Sequence, residues 1–209
     1  MKKLERPPAP VRLQQNYKQW GKEYAAGGNW SWRQNIDKDI RPLLLQMTGE
    51  HCAFCDSYPL KPSRLDPEIG HFKPKYISPL LAYVWYNLFP ICRECNNCQG
   101  NKFYKIVEGR KIKPLKPDQR SYDFPAYFFF DPRSGEIEPN PMAEPAVKVR
   151  AEHTIELFGL NDEKRPNLRK TAIRRFLALS GSNDEALDPS DLLPENHTFG
   201  FFIQMVMEA

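Results

Sequence analysis

The sequence predicts an α+β protein whose core is held together by a metal ion. Two CxxC pairs, Cys52–Cys55 and Cys92–Cys95, have the spacing with which cysteines fill a tetrahedral metal site. Stretches with apolar residues at helical spacing lie on both sides of these pairs, and a strand–turn–strand pattern surrounds "DPRSG". Hydrophobic residues make up 41% and charged residues 27% of the 209 residues, so the chain can bury a core of ordinary size.

The expected elements follow one another from the N-terminus. Residues 1–20 are expected to form an extended arm that runs into an aromatic, polar stretch, because Pro7, Pro8 and Pro10 favour a polyproline conformation. "WRQNIDKDIRPLLLQMTGEHC" predicts a helix that ends at Gly49. Further on, "YFFFDPRSGEIEPN" predicts two short strands, "AEHTIELFGLN" and "NLRKTAIRRFLALSG" predict helices, "GSNDEALDPSDLLPEN" predicts a polar loop, and "TFGFFIQMVM" predicts an apolar tail or a final helix. We therefore expect a Pro-rich arm and helix that could bind a partner over residues 1–49, a metal-bound core over 50–110 and a mixed α/β region over 111–209.

The composition indicates a cytoplasmic protein. The start, "MKKLERPPAPVRL", lacks the apolar stretch of a secretory signal. The most apolar segment, "ISPLLAYVWYNLFPIC", is interrupted by Pro79, Asn87 and Pro90 and is too short to cross a bilayer, so no membrane partner is expected. Thiols stay reduced in the cytoplasm, which favours metal ligation by paired cysteines over disulfides. The net charge of +4 permits a polyanionic partner without requiring one.

The four cysteines are expected to hold one structural zinc ion. Two CxxC turns supply four thiolates and close the site, and residues 56–91 between them leave room for a folded insert. Four buried free cysteines would be the simpler alternative, but it does not explain two identical spacings. Cys98 lies at CxxC spacing from Cys95 and could replace Cys92, although a loop thiol without metal is the plainer interpretation. His51 is a further candidate ligand.

The order of the remaining polar residues gives the chain a family resemblance. With His71 and Asn87 inside the insert and Asn96 directly after Cys95, the chain resembles the zinc-stapled HNH endonucleases, whose nuclease core is the ββα-metal motif. Among these it looks most like the PtuB proteins, the HNH components of Septu anti-phage systems, and their retron-associated relatives. The resemblance is carried by "CAFC", "IGHFKPK", "WYNLFPICRECN" and "GNKF", continues in "FFFDPRSGEIEP" and "HTIELFGLND", and covers most of residues 50–175.

The resemblance implies a role for each of these side chains. His71 matches the general base, which as a neutral imidazole takes a proton from the attacking water. Asn96 matches the residue that offers an oxygen to the catalytic divalent cation, expected to be Mg²⁺. Asn87 matches the asparagine that braces the loop behind the histidine. Three lysines are placed to contact phosphates, with solvated surface as the equal alternative: Lys73, Lys75 and Lys102.

One position departs from the family pattern. The family usually has Asp or Glu directly before the histidine as the main metal ligand, whereas this chain has Gly70. Either the activity is weakened, or another carboxylate or a partner completes the site. Glu68 shares the strand face of Gly70 but starts about 6.6 Å further along the strand. Asp66 and Glu94 are the other nearby carboxylates, and a backbone requirement for positive φ would be a different reason for glycine.

The function that the resemblance implies is metal-dependent hydrolysis of phosphodiester bonds. DNA is the expected substrate, and an ATPase of the same bacterial anti-phage defence system is the expected partner. Two alternatives stay open: a zinc-stabilised module that binds nucleic acid or protein without cleaving, which Gly70 favours, and an RNA target such as tRNA. Surfaces that could serve a partner or phosphate, or simply pack or face solvent, are Trp30 with Trp32 and the basic helix carrying Arg165, Arg169, Lys170, Arg174 and Arg175.

Overall fold

The computed structural model describes residues 1–61, 67–182 and 187–208, and it shows an α+β fold. The helices in these ranges are α1 (Val11–Ala25), α2 (Asp37–Thr48), α3 (Arg93–Gln99), α4 (Phe124–Tyr127), α5 (Pro145–Leu157), α6 (Arg165–Ser180) and α7 (Gly200–Met207). The strands are β1 (Pro67–His71), β2 (Leu88–Cys92), β3 (Lys105–Val107), β4 (Arg110–Ile112), β5 (Phe128–Asp131) and β6 (Glu136–Pro139). They pair as three antiparallel two-stranded sheets, β1–β2, β3–β4 and β5–β6. The α+β prediction is therefore confirmed.

Strands β1 and β2 and helix α3 follow one another and form one packed unit. The register places Glu68 opposite Ile91 and His71 opposite Leu88. Every residue of β2 is buried, so this strand lies in the interior rather than at the surface. Cys92 ends β2 and caps α3, since its side chain accepts the backbone N–H of Cys95. The insert between the two strands, residues 72–87, folds into short turns beside them.

The N-terminal region contains a helix, α1, where the Pro-rich sequence predicted an extended arm. The prediction of an extended arm up to residue 20 is wrong from Val11 onward, because α1 begins there, directly after Pro10. The fixed φ of proline suits the start of a helix, and no further proline follows until Pro42. Leu13 and Trp20 bury one side of α1, and burial of such a face stabilises a helix more than local propensity does.

Helix α2 confirms the helix predicted within "WRQNIDKDIRPLLLQMTGEHC", but it begins at Asp37 rather than with the first residues of that stretch. It ends where expected, at Gly49, which adopts the left-handed conformation with a φ of 62°. The backbone N–H groups of Gly49 and Glu50 bond to the carbonyl groups of Gln46 and Leu45 and so satisfy the end of the helix.

The arm before α1 is packed into the protein. Met1 and Leu4 are buried, and the Arg6 guanidinium is enclosed, with its Nε atom 2.6 Å from the Asp118 carboxylate. Arg6 also lies over the ring of Phe89, 4.5 Å from its centre. An arm that is part of the core cannot be removed without disturbing the fold.

Two hydrophobic cores organise the described residues. One core surrounds the four cysteines and combines β2, β5, β6 and α5–α7 with the buried N-terminal residues. The second core joins α1 and α2 to the insert through Tyr83 and Trp85, and to β2 through Leu88. Both cores contain residues from more than one of the segments 1–49, 50–110 and 111–209, and those boundaries stay a prediction.

The C-terminal predictions hold for the described residues. β5 and β6 form the expected hairpin, in which the Asp131 carboxylate accepts the backbone N–H groups of Arg133 and Ser134 in the turn. Helix α6 lies where the sequence placed it, α5 begins at Pro145, six residues before its predicted stretch, and α7 is the final helix that was one of two alternatives. Part of the expected polar loop, residues 183–186, lies outside the described ranges. Among the residues that the structure describes, no helix combines the length and apolar character that a membrane span needs.

Candidate active site and metal centre

The four paired cysteines converge on one point. Cys52 and Cys55 lie in a turn before β1, whereas Cys92 ends β2 and Cys95 lies in the first turn of α3. All four are buried, and their Sγ atoms lie within 4.8 Å of one another, with 3.6 Å between those of Cys55 and Cys92. Tetrahedral zinc with bonds of about 2.3 Å requires sulfur atoms about 3.8 Å apart. The donor set therefore fits a structural zinc ion, as the spacing predicted.

A buried arginine lies against these sulfur atoms. Arg165 Nη1 is 3.2 Å from the Sγ of Cys95, and it also donates to the backbone carbonyl groups of Phe158 and Gly159. Four thiolates around Zn²⁺ carry a net charge of −2, so the guanidinium offsets part of it in a medium of low dielectric constant. This contact of Arg165 was not predicted, because nothing in the local pattern of α6 shows that its first turn faces the cysteines.

The two other candidate zinc ligands face elsewhere. The Sγ of Cys98 lies 3.2 Å from a carboxylate oxygen of Asp162. The His51 ring is 3.0 Å from the Asp56 carboxylate and 2.8 Å from the Glu195 carbonyl oxygen. Both positions agree with the plainer interpretation, in which neither residue binds the ion.

His71 ends β1 and is enclosed by aromatic rings. Its Nε2 atom lies 2.9 Å from the carbonyl oxygen of Ala82; because a carbonyl only accepts, Nε2 carries the proton. Trp32 stacks on the imidazole at 6.1 Å between ring centres, and Trp30 meets it edge-on at 5.2 Å. The side chain is only 8% exposed. Burial, with a smaller effect of the Lys75 charge, lowers the pKa of His71 from 6.5 to about 4.

Asn87 ties the loop after His71 to the start of β2. Its Oδ1 accepts the backbone N–H of Lys73 at 2.8 Å, and its Nδ2 donates to the carbonyl groups of Lys73 and Leu81 at 2.9 and 3.1 Å. Its backbone carbonyl also accepts the N–H of Phe72. Three of these four bonds fix Phe72 and Lys73, which directly follow the histidine, and the fourth holds Leu81.

Asn96 faces a carboxylate of β1. The Nδ2 atom of Asn96 lies 2.5 Å from an Oε atom of Glu68, and the other Oε atom is 3.8 Å from the Nε of Arg93. The about 6.6 Å offset along the strand thus does not keep Glu68 away from α3. Glu94 is exposed on α3, and Asp66 lies outside the described residues.

The side chain of Ile91 fills the space into which a side chain at position 70 would point. A Cβ atom there would lie 2.6 Å from Cγ2 of Ile91, which is fully buried. The φ of Gly70 is outside the left-handed region, so positive φ is not the reason for the glycine. Packing of the Ile91 side chain excludes a carboxylate at this point.

The three predicted phosphate-contacting lysines have different surroundings. The Lys73 ammonium lies 5.6 Å from the ring centre of Tyr104, and that of Lys75 lies 4.7 Å from the ring centre of Trp30. Both lysines are partly buried, and burial lowers the pKa of Lys75. Lys102 is exposed, three residues after the end of α3. Lys73 and Lys75 follow His71 directly and border the same loop.

Trp30 and Trp32 are partly buried and pack against the core that contains Tyr83. Trp30 contacts Tyr24 at 5.5 Å and Tyr83 at 5.0 Å between ring centres, and it contacts Trp32 at 5.0 Å. This is the packing alternative that the sequence left open, with the addition that both rings cover His71.

The basic helix presents fewer charges than expected. Arg165 is buried beside the cysteines, and Arg169 is fully buried and donates to two backbone carbonyl groups. Lys170 is half-buried, and Arg174 and Arg175 are exposed. Two of the five basic residues, Arg165 and Arg169, therefore do not contribute to a basic surface on α6.

The fold and the site define a protein of the α+β class, with four cysteines that can hold zinc at one end of the β1–β2 pair and a buried histidine at the other end. No protein-family model matches the chain. Over 102 residues it is 32% identical to the Septu protein PtuB of Bacillus thuringiensis, a match that covers 46% of this chain and 36% of that protein. Over 151 residues it is 27% identical to a protein of Vibrio cholerae serotype O1 biovar El Tor named as a candidate HNH endonuclease of retron Vc95, covering 69% of this chain and 68% of that protein.

These matches confirm the predicted resemblance to HNH-type anti-phage proteins. The aligned part spans little more than a third of the length of PtuB. What the whole of that protein does is therefore a matter of proposal for this chain.

Proposed function

We propose that the chain is an HNH endonuclease that hydrolyses phosphodiester bonds in nucleic acid, with DNA as the expected substrate. The observation that carries this proposal is the state of His71. Its Nε2–H is held by the Ala82 carbonyl, so its Nδ1 atom is the unprotonated nitrogen. Its pKa of about 4 keeps the ring neutral at physiological pH, as a general base must be.

The order of elements supports a ββα-metal core. β1 ends with His71, Asn87 precedes β2, and Asn96 lies on α3 directly after the zinc-site cysteine Cys95. The zinc staple fixes the junction of β2 and α3 through Cys92 and Cys95, which holds Asn96 against β1. Residues 50–110 are the proposed extent of this core.

The donor groups near Asn96 suit a hard divalent cation such as Mg²⁺. Asn96 and the Glu68 carboxylate lie in contact and are open enough to solvent for a cation to keep several water ligands. A bound cation supplies Lewis-acid stabilisation of the scissile phosphate and of the leaving 3′-oxygen.

The protein's own residues perform the proton transfer and the positioning. Nδ1 of His71 accepts a proton from water while the water oxygen forms the new bond to phosphorus. The bond from phosphorus to the 3′-oxygen breaks, that oxygen takes up a proton from solvent water, and His71 returns its proton to solvent. Asn87 holds the backbone after His71, and Lys73 and Lys75 place positive charge along the same loop, where a phosphate backbone would lie.

The chain is proposed to act as the effector of an anti-phage system that includes an ATPase. Its similarity to a Septu protein and to a retron protein supports this role. Trp30 and Trp32 cover His71, so a substrate reaches Nδ1 only when the loop carrying them moves. Gly27, with a φ of 96°, precedes this loop at the end of α1. The partner is proposed to open this loop. Without the partner, Trp30 and Trp32 would keep His71 covered and the nuclease inactive.

A second candidate function is binding without cleavage. The Ile91 side chain fills the place of the usual carboxylate, which favours this alternative. Incubation of zinc-loaded chain with plasmid DNA or tRNA, with and without Mg²⁺ and with and without the ATPase, separates the two. We expect DNA cleavage that requires Mg²⁺, is lost in His71→Ala and is retained in the control His197→Ala. Tight binding without cleavage under all conditions would establish the binding module, and cleavage of tRNA alone would replace DNA as the substrate.

A further inference from the structure

Gly70 and Ile91 raise the question of which carboxylate could serve a catalytic cation. The side chain of Ile91 occupies the space into which a residue at position 70 would point. Because Ile91 is fully buried within β2, it cannot swing out to solvent to make room. A carboxylate for this site must therefore come from another position.

Glu68 lies on the same face of β1 and already reaches α3. Side chains alternate along a strand, so positions 68 and 70 point to one side. The carboxylate of Glu68 contacts the side-chain amide of Asn96 at 2.5 Å. The Glu68 side chain is 32% exposed, so one side of it faces solvent.

We propose that Glu68 and Asn96 together form the divalent-cation site of this chain, with the carboxylate moved two positions along β1 relative to the family pattern. This inference rests on the proposed nuclease function. One carboxylate, one amide oxygen and several waters, completed by substrate phosphate, are the donors that Mg²⁺ prefers.

Binding the cation requires a small local rearrangement. Asn96 now presents its N–H group to the carboxylate, and rotation of the amide by half a turn presents Oδ1 instead. Arg93, with its Nε 3.8 Å from the second carboxylate oxygen, supplies positive charge to Glu68 before a cation arrives. A cation would take over this role, since a doubly charged ion interacts more strongly with the carboxylate than a partly exposed guanidinium does.

The site predicts which substitutions change cation affinity. Glu68→Gln removes the only charge among the two protein donors, and Mn²⁺ affinity should fall by at least about tenfold. Asn96→Asp adds a second carboxylate and should tighten Mn²⁺ binding. Glu94→Gln is the matched control, because it removes an exposed carboxylate of α3 that lies outside the site. Zinc content should stay near wild type in all three, whereas the melting temperature of Asn96→Asp should fall in the absence of Mn²⁺, because two carboxylates then lie in contact.

The experiment is a titration of the zinc-loaded full chain with Mn²⁺, followed by electron paramagnetic resonance of free Mn²⁺, beside a cleavage assay on the same samples. The expected result is weakened Mn²⁺ binding in Glu68→Gln alone, with unchanged binding in His71→Ala. Equal Mn²⁺ affinity of wild type and Glu68→Gln would overturn the site, even if the wild type cleaves DNA. Mn²⁺ binding that depends on Glu68 in a chain that never cleaves would support the site and contradict the nuclease function. Absence of Mn²⁺ binding by the wild type would also overturn the site.

Discussion

Replacement of Asn87 by alanine should destabilise the protein and loosen the loop behind His71. The Asn87 side chain makes three hydrogen bonds, two to Lys73 and one to Leu81, and it is 5% exposed. Alanine leaves one backbone N–H and two carbonyl groups without these partners in a place that water reaches poorly.

The magnitude follows from these bonds. A buried hydrogen bond contributes about 1 kcal/mol net, so the loss of three lowers the free energy of unfolding by about 3 kcal/mol. For a chain of this size, the melting temperature should then fall by roughly 6–12 °C. Cleavage should fall as well, because the residues after His71 lose their anchor, whereas the zinc content should not change.

Urea and thermal unfolding of Asn87→Ala test this reasoning, with Asn97→Ala as the matched control. Asn97 is exposed on α3, and its removal should change stability by no more than about 0.5 kcal/mol. If Asn87→Ala unfolds within about 0.5 kcal/mol of the wild type, the bracing role is refuted.

Four further predictions concern zinc and the histidine. Cys52→Ser should lose zinc and cooperative unfolding, because the ion stabilises the fold. Cys98→Ser should keep both, as measured by metal analysis and thermal melts. Loss of zinc in Cys98→Ser would refute the proposed set of four ligands. Arg165→Met should weaken zinc affinity by about ten- to a hundredfold in chelator competition, and unchanged affinity would remove its role at the thiolates. Because the folded-state pKa of His71 is about 4 and lies below its usual 6.5, its contribution to stability is complete above about pH 6.5 and is lost as the pH falls toward 4. Trp32→Ala should raise that pKa in an NMR titration and speed cleavage without the ATPase; an unchanged pKa would show that Trp32 does not cause the burial.

The zinc site was predictable because its information is local. Two CxxC turns specify four ligands by spacing alone, and the structure brings the same four cysteines together. The hairpin around "DPRSG" and the end of α2 at Gly49 were predictable for a similar reason, since turn and cap residues act on their immediate neighbours.

The missed features depend on contacts between distant segments. Helix α1 was concealed by the prolines before it, and only its burial of Leu13 and Trp20 against the insert makes it stable. The burial of Arg165 depends on how α6 packs against the cysteines, which its own periodicity does not encode. Glu68 could be named only as one of several candidate carboxylates, because its contact with Asn96 depends on how β1 packs against α3.

Chemical rescue of His71→Gly by imidazole is the most direct test of whether His71 is the general base. His71→Gly removes the proposed base and leaves a space between Trp32 and the Ala82 carbonyl that imidazole can enter. With Mg²⁺ present and zinc content equal to wild type, we expect that His71→Gly does not cleave DNA and that added imidazole restores part of the rate. Cleavage by His71→Gly at the wild-type rate without imidazole would show that His71 is not the general base.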